Sequence, residues 1–406
     1  MDRAFNAIKI AERVYWVGAI DWGIRDFHGY STFNGTTYNA FLIVADEVTL
    51  VDGVKAPFMD EMMSRISSVV DPSEIRNVIS NHTEMDHSGC LPRLLHLINP
   101  ERLIASAPGE KALQAHFHWD RQVQVVEDGE RLTLGDARLQ FLDARMLHWP
   151  DSMFTYLEGE GILFSNDAFG MHLASGERFT DEVDEARVLF EAGKYYANLL
   201  LPFSHRVVKI VDSLRESDLE INMIAADHGP IWRHQPEKIL DLYSRWAAQQ
   251  PNRKAVVVFD TMWQSTAQMG RAIAEGLTAG GIEVKLMPLS GSHRSDVAVE
   301  LLEAGALVVG SPTMNNQMFP TVADLMTYLR GLRPKNLIGA AFGSYGWNGQ
   351  AVANLDKALV EIGVDLVEEG LRVHYVPDEQ ALADCRALGA NVAARLNAIS
   401  DQEPAR

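Results

Sequence analysis

The chain has 406 residues, 47% of them hydrophobic, and a net charge of -19. That length allows two domains with separate cores, and the acidic balance disfavours non-specific binding to nucleic acid or an anionic membrane. No run of about eighteen apolar residues occurs, so no membrane helix is expected.

Met1 to Tyr15 lacks the apolar core and cleavage site of a signal peptide. The two cysteines, Cys90 and Cys385, fit a cytoplasmic location and exclude a rubredoxin-type centre or a four-cysteine iron–sulfur cluster within this chain. Residues 1–250 read as short strands followed by mixed elements. Hairpins are expected over Phe41–Val51, turning near Asp46-Glu47, over Arg131–Leu142, turning at Gly135-Asp136, and over Met153–Phe164, turning through Gly159-Glu160-Gly161. Helical patterns follow over Glu185–Leu200 and His205–Arg215. A buried strand is expected at Ile221–Ala225, and an amphipathic helix at Gln235–Gln249 closes the domain.

The chemistry of this half gathers at Asn81-His82-Thr83-Glu84-Met85-Asp86-His87-Ser88-Gly89. The apolar run Asn77–Ser80 feeds it. A helix with Pro92 in its first turn and Leu91, Leu94, Leu95 and Ile98 on one face leaves it. His82, Glu84 and Asp86 alternate in what reads as an extended loop and converge from one side, and adjacent His87 points to a second ion. Neutral imidazoles and ionised carboxylates are both available at pH 7. Three more ligand types end apolar runs beside turn formers: His148, Asp167 and His228. His28, in a Gly-flanked loop, can overhang a site. His116 and His118 alternate with aromatics and read as packing or capping residues, while His172 and His374 have no ligand context.

A polar linker is expected at Gln249–Lys254. In 251–406 the rhythm becomes strand–helix alternation, with apolar runs at Ala255–Phe259, Val284–Leu289, Ala306–Gly310, Leu337–Phe342 and Leu371–Tyr375. This is the pattern of a doubly wound parallel sheet. No Gly-x-Gly-x-x-Gly follows the first strand. Instead Thr261, Met262, Trp263, Gln264, Ser265 and Thr266 lead into a helix, a hydroxyl-rich anion site without lysine that suits a monophosphate. Two further loops follow the third and fourth strands: Ser311, Pro312, Thr313, Met314, Asn315, Asn316, and Gly343, Ser344, Tyr345, Gly346, Trp347, Asn348, Gly349. The last offers two aromatic faces among glycines for a flat ring.

The order His-x-Glu-x-Asp-His, then His148, Asp167 and His228, resembles the metallo-β-lactamase superfamily. Most hydrolases of that superfamily carry His where this chain has Glu84. That exchange, followed by a flavodoxin-like half, resembles the flavodiiron proteins (A-type flavoproteins, similar to rubredoxin:oxygen oxidoreductases). The resemblance covers nearly the whole chain and includes Asp26-Phe27-His28-Gly29, Gly35-Thr36-Thr37-Tyr38-Asn39 and His148-Trp149-Pro150-Asp151. It implies an α/β and α+β two-domain architecture: a metallo-β-lactamase-like αββα sandwich over 1–250, then a flavodoxin-like doubly wound sheet over 251–406 that binds FMN. It further implies that His82, Glu84 and His148 hold one iron, that Asp86, His87 and His228 hold the other, and that Asp167 bridges them. A carboxylate in place of an imidazole makes the first site harder, favouring iron over zinc.

The implied activity is reduction of dioxygen to water or nitric oxide to nitrous oxide, with electrons from rubredoxin or, alternatively, a reduced deazaflavin. His28, Tyr195 and Tyr196 are candidates for proton delivery. The resemblance also implies a head-to-tail homodimer or dimer of dimers, which brings one subunit's FMN to the other's irons. Two rivals are a zinc hydrolase with a flavin-sensing tail and a flavodoxin-type electron carrier with a structural metal site. Glu84 counts against the first and the intact seven-ligand set against the second.

Overall fold

The computed structural model describes residues 4–401. The described residues form two compact units. The first holds the chain up to His28, Thr32–Tyr195 and His205–Ser244; the second holds Gly29–Ser31, Tyr196–Ser204 and Arg245 onward.

The first unit is a sandwich of two sheets with helices outside. Its larger sheet contains the antiparallel neighbours Val14–Trp16, Phe41–Ile43 and Val48–Val51, continued in parallel by Ile75–Ser80, Arg102–Ser106 and Gln124–Val126. The smaller sheet runs Arg131–Thr133, Arg138–Asp143, Met153–Leu157, Ile162–Phe164 and Met223–Ala225, with only the last pair parallel. All three expected hairpins are present. Period-two alternation decides which face each side chain serves. Phe41, Ile43, Val51, Ile79 and Ile104 meet Leu139, Phe141, Leu157, Ile162 and Phe164 between the sheets. Leu42, Leu50, Val78 and Leu103 point the other way, onto the helices Met59–Ser67 and Leu91–Ile98.

Two local readings change. The Glu185–Leu200 pattern is an α-helix only over Glu185–Tyr195; Tyr196–Leu200 is a π-turn, a form that recurs at functional sites. The Ile221–Ala225 strand shortens to Met223–Ala225.

The second unit has the sheet order Glu283–Pro288, Lys254–Phe259, Ala306–Gly310, Ile338–Tyr345, Leu371–His374, all parallel. This is the flavodoxin order, and its switch point lies between Lys254–Phe259 and Ala306–Gly310. The central strands are buried on both faces, whereas Glu283–Pro288, at the sheet edge, is half-exposed. The helices Ser265–Ala279 and Glu379–Ser400 approach closely because a Cβ on Gly276 would meet the Arg386 carbonyl at 2.1 Å, and one on Gly389 the Ile273 carbonyl at 2.2 Å. The helix Glu237–Ala248 ends before Lys254, where the strand begins. Among the described residues no helix is long and apolar enough to cross a membrane.

Candidate metal centre and flavin loops

The strand Ile75–Ser80 delivers Asn81 to the rim of the sandwich. Asn81 donates its backbone N–H and its side-chain amide to Asp52, both at 2.7 Å, and accepts from Thr155 Oγ1 at 2.7 Å. That clamp fixes where the next residues leave the sheet. Asp86 and His87 do not continue an extended loop, as expected, but lie on a one-turn helix, Met85–Ser88. The Glu84 carbonyl accepts from the N–H groups of His87 and Ser88 and so starts the turn early. The turn sends His82 and Glu84 to one side and Asp86 and His87 to the other.

The structure brings all seven expected ligands into two sets, His82/Glu84/His148/Asp167 and Asp86/His87/His228, with the ligand atoms of each set within 4.8 Å of one another. Asp167 joins the sets. Its Oδ2 lies 3.0 Å from His148 Nε2 and 3.4 Å from His82 Nε2; its Oδ1 lies 3.1 Å from His87 Nε2 and 3.3 Å from His228 Nε2. Glu84 Oε2 closes the first set at 3.3 Å from His82 and 3.2 Å from His148. Asp86 closes the second at 3.4 Å from His87 and 3.2 Å from His228.

All four imidazoles thus present Nε2. For two of them the other nitrogen is held: His228 Nδ1 donates to the Thr37 carbonyl at 2.6 Å, and His82 Nδ1 faces Asp151 at 3.2 Å. An Nδ1–H so engaged leaves Nε2 with a lone pair for a metal. Among the described residues Asp86 Oδ1 and Oδ2, Asp167 Oδ1 and His87 Nε2 are buried without hydrogen-bond partners. Buried polar atoms are normally satisfied, and divalent cations at these two positions would satisfy them; nitrogen and carboxylate donors suit iron. The residues therefore fit two ions.

Electrostatics agree. Burial opposes ionisation of Glu84, Asp86 and Asp167, but the surrounding histidines outweigh it and hold all three carboxyls below their usual range. Burial also opposes protonation of His82, His87 and His148, and there the carboxylates win and push the imidazoles up. Asp52 goes the other way, raised by burial to about 6.

His28 reaches over the site, with Nε2 3.0 Å from Glu84 Oε1, and its side chain is 68% exposed. It lines a cavity of about 620 Å³ together with Phe27, Met85, Asp86 and Trp149. Tyr195 is buried beside the second set, its ring 5.0 Å from His172 and 6.0 Å from His228, and burial holds its hydroxyl well above the ordinary range. Tyr196 is engaged elsewhere, with its hydroxyl 3.1 Å from Ser204 Oγ and its ring on Trp246. His172 has a place here that its sequence neighbours do not announce. Its ring packs 4.7 Å from that of His228 and its Nδ1 lies 2.8 Å from Thr36 Oγ1. The quoted Gly35–Asn39 segment was the available signal, because it runs beside both rings.

In the second unit the three expected loops lie at carboxyl ends of parallel strands. No side chain caps the helix Ser265–Ala279 at Gln264, so its first amide groups are open to an anion. Thr261 Oγ1 is buried without a partner beside them. Thr266 Oγ1 lies 3.0 Å from Ser344 Oγ, tying the first loop to the third. Thr313–Met314 and Gln317–Met318 form a small hairpin whose turn residues, Asn315 and Asn316, both have positive φ. Asn316 accepts from Asn348 at 3.0 Å, which joins the second loop to the third. Ser311 and its neighbour Pro312 close the hairpin's base, with Ser311 Oγ accepting from Phe319 N.

The third stretch differs from expectation. Gly343, Ser344 and Tyr345 remain in the strand, because Leu371–His374 pairs with them. Only Gly346–Gly349 is loop. Trp263 and Trp347 are 89% and 91% exposed, the pattern of rings awaiting a flat partner. His374 and Tyr375, unassigned in the sequence, complete this edge. The His374 ring lies 5.3 Å from Tyr345 and 4.3 Å from Tyr375, and its Nε2–H donates to the Gly346 carbonyl. A phosphate-accepting helix start, hydroxyls and exposed aromatic rings fit FMN.

Fold and site define a β-lactamase-type domain with a two-set ligand cluster, joined to a flavodoxin domain. Residues 36–229 match the ODP family beta lactamase profile and 257–389 the flavodoxin profile. The chain is 46% identical to a nitric oxide reductase of Moorella thermoacetica, over 96% of this chain and 98% of that one. Rubredoxin oxygen:oxidoreductase from Desulfovibrio gigas superposes with a TM-score of 0.95 at 40% identity, over 97% of this chain and 100% of that one. The flavodiiron protein of Giardia intestinalis superposes with a TM-score of 0.94 at 32% identity, over 98% of each. The chain belongs to the flavodiiron protein family and is an oxidoreductase.

Proposed function

We propose that the protein reduces dioxygen to water, nitric oxide to nitrous oxide, or both, using FMN in the flavodoxin domain and two irons in the β-lactamase-type domain. His82, Glu84 and His148 would hold one iron and Asp86, His87 and His228 the other, with Asp167 shared between the two sets. When bound, the irons and FMN supply the electrons that either gas requires. The carrying observation is Asp167, whose two oxygens face different ligand sets, with Glu84 completing the first.

The chain's own residues do the rest. Asp151 and the Thr37 carbonyl orient His82 and His228. Phe27, Tyr195 and Trp149 set aromatic rings against His228 and His82. His28, 3.0 Å from Glu84 and open to solvent, is placed to carry protons inward; Tyr195 is the buried donor candidate. Thr261–Thr266, Ser311–Asn316 and Gly343–Gly349 hold FMN.

The relatives' names support a rubredoxin donor, with reduced deazaflavin as the alternative; a head-to-tail homodimer, or dimer of dimers, in the cytoplasm would bring one subunit's FMN site to the other's iron site. They do not favour the hydrolase or electron-carrier readings. Metal analysis with anaerobic stopped-flow tests the assignment: reduced protein carrying iron should be reoxidised by one or both gases faster than free FMN. Zinc content, or reoxidation no faster than free FMN, would overturn it. An active monomer in the ultracentrifuge would overturn the dimer.

A further inference from the structure

Asp227 precedes His228 at the end of the strand Met223–Ala225 and is fully buried. Its backbone is committed: the N–H donates to the Asn166 carbonyl at 2.8 Å and the carbonyl accepts from Asn39 at 2.7 Å. Its carboxylate is not. Among the described residues both oxygens are buried without a hydrogen-bond partner, and so is His87 Nδ1, 3.5 Å from Asp227 Oδ2.

The orphaned atoms of the site fall into two groups. Asp86, Asp167 Oδ1 and His87 Nε2 face one another, and an ion among them would satisfy all. His87 Nδ1 is on the far side of its ring, where an ion bound at Nε2 cannot serve it. The other nearby carboxylates are already used: Asp52 by Asn81, and Asp151 by the Thr83 N–H, the Thr83 hydroxyl and His82. Asp227 alone of the three has both oxygens to offer. Leaving a buried carboxylate and a buried ring nitrogen unpaired is costly, and closing the 3.5 Å gap satisfies both.

We infer that Asp227 is the positioning residue of His87. Its carboxylate takes the Nδ1–H, fixes the tautomer and turns Nε2 toward the ion held by Asp86 and His228. The inference rests on the dinuclear reading above. It also makes His87 more loosely held at Nδ1 than His228 or His82, since its contact is 3.5 Å against 2.6 Å and 3.2 Å.

The test is cobalt(II) titration of the metal-free full-length protein, with a competing chelator and the cobalt spectrum as readout. In Asp227→Asn one of the two ions should weaken by about 10- to 100-fold, as removal of an outer-shell partner typically does, with the other ion and the FMN content unchanged. Asp151→Asn should weaken the opposite ion by a similar factor. In a His87→Ala background Asp227→Asn should add nothing, because both act through one ring. Equal weakening of both ions by Asp227→Asn, no weakening, or additive losses with His87→Ala would overturn the inference. Should the asparagine variant fail to fold, Asp227→Glu, which keeps the charge and moves it, carries the same single-ion expectation. Wild-type protein that binds only one ion would overturn the dinuclear reading itself; two ions in wild type with an indifferent Asp227→Asn would overturn this inference alone.

Discussion

The metal cluster and the flavin loops solve opposite problems. In the cluster the protein supplies almost everything. His82, His87, Asp86, Asp167 and His228 are buried, and Asn81 is clamped by Asp52 before the ligands begin. The flavin loops are joined by a few hydrogen bonds, and their largest rings, Trp263 and Trp347, face solvent. A site of fixed charges must be built before the ion arrives, because misplaced buried charges are expensive. A stacking platform for a large planar ligand can be completed by the ligand itself.

Four measurements bear on that contrast. The largest is Glu84→Ala. Losing a ligand should cost gas reduction at least about 100-fold, since even outer-shell losses reach that size, while FMN content stays at the wild-type level. Rapid reoxidation of this variant by either gas would show that Glu84 is not needed.

Next is proton release. The carboxylates hold His82, His87 and His148 above their ordinary imidazole range in the metal-free protein. Each ring must lose its proton to bind a metal, so affinity should rise with pH and fall as pH drops. Calorimetry in two buffers of different ionisation enthalpy should show net proton release on iron or cobalt binding; uptake, or none, would contradict the electrostatic account.

A smaller effect is expected from Trp347→Ala, whose ring should contribute about 0.5–1.5 kcal/mol of stacking, or roughly 2- to 13-fold in FMN affinity. Metal content should not change; coupled loss of metal would argue against independent sites. Smallest is His374→Ala, which removes one hydrogen bond to the Gly346 carbonyl and should weaken FMN by about 0.5 kcal/mol, the low end for a single hydrogen bond. His374→Gln, which keeps a donor, should recover much of that in the same fluorescence titration.

Much of this arrangement is legible in the residues. Alternating apolar positions define the hairpins, and His148, Asp167 and His228 each end an apolar run, where a sheet can gather distant side chains. The turn that puts Asp86 and His87 on a helix was not legible, because it depends on the Glu84 carbonyl finding two local amides. Nor were Asp151 and Asp227, which look like ordinary loop acids until the fold sets them behind imidazoles. His172 and His374 were missed for the same reason: each matters through neighbours more than 25 positions away, Thr36 for one and Gly346 for the other. The grouping of Gly29–Ser31 and Tyr196–Ser204 with the second unit rests on pairings such as Ser31 with Ser295 and Asn198 with Tyr328, which no local pattern announces.

The central claim is that one carboxylate, Asp167, joins two irons. Mössbauer spectroscopy of the iron-57-loaded oxidised protein tests it most directly. A coupled pair of ferric ions with a diamagnetic ground state is expected, replaced by uncoupled or single-iron spectra in Asp167→Ala. Magnetically isolated irons in the wild-type protein would contradict it.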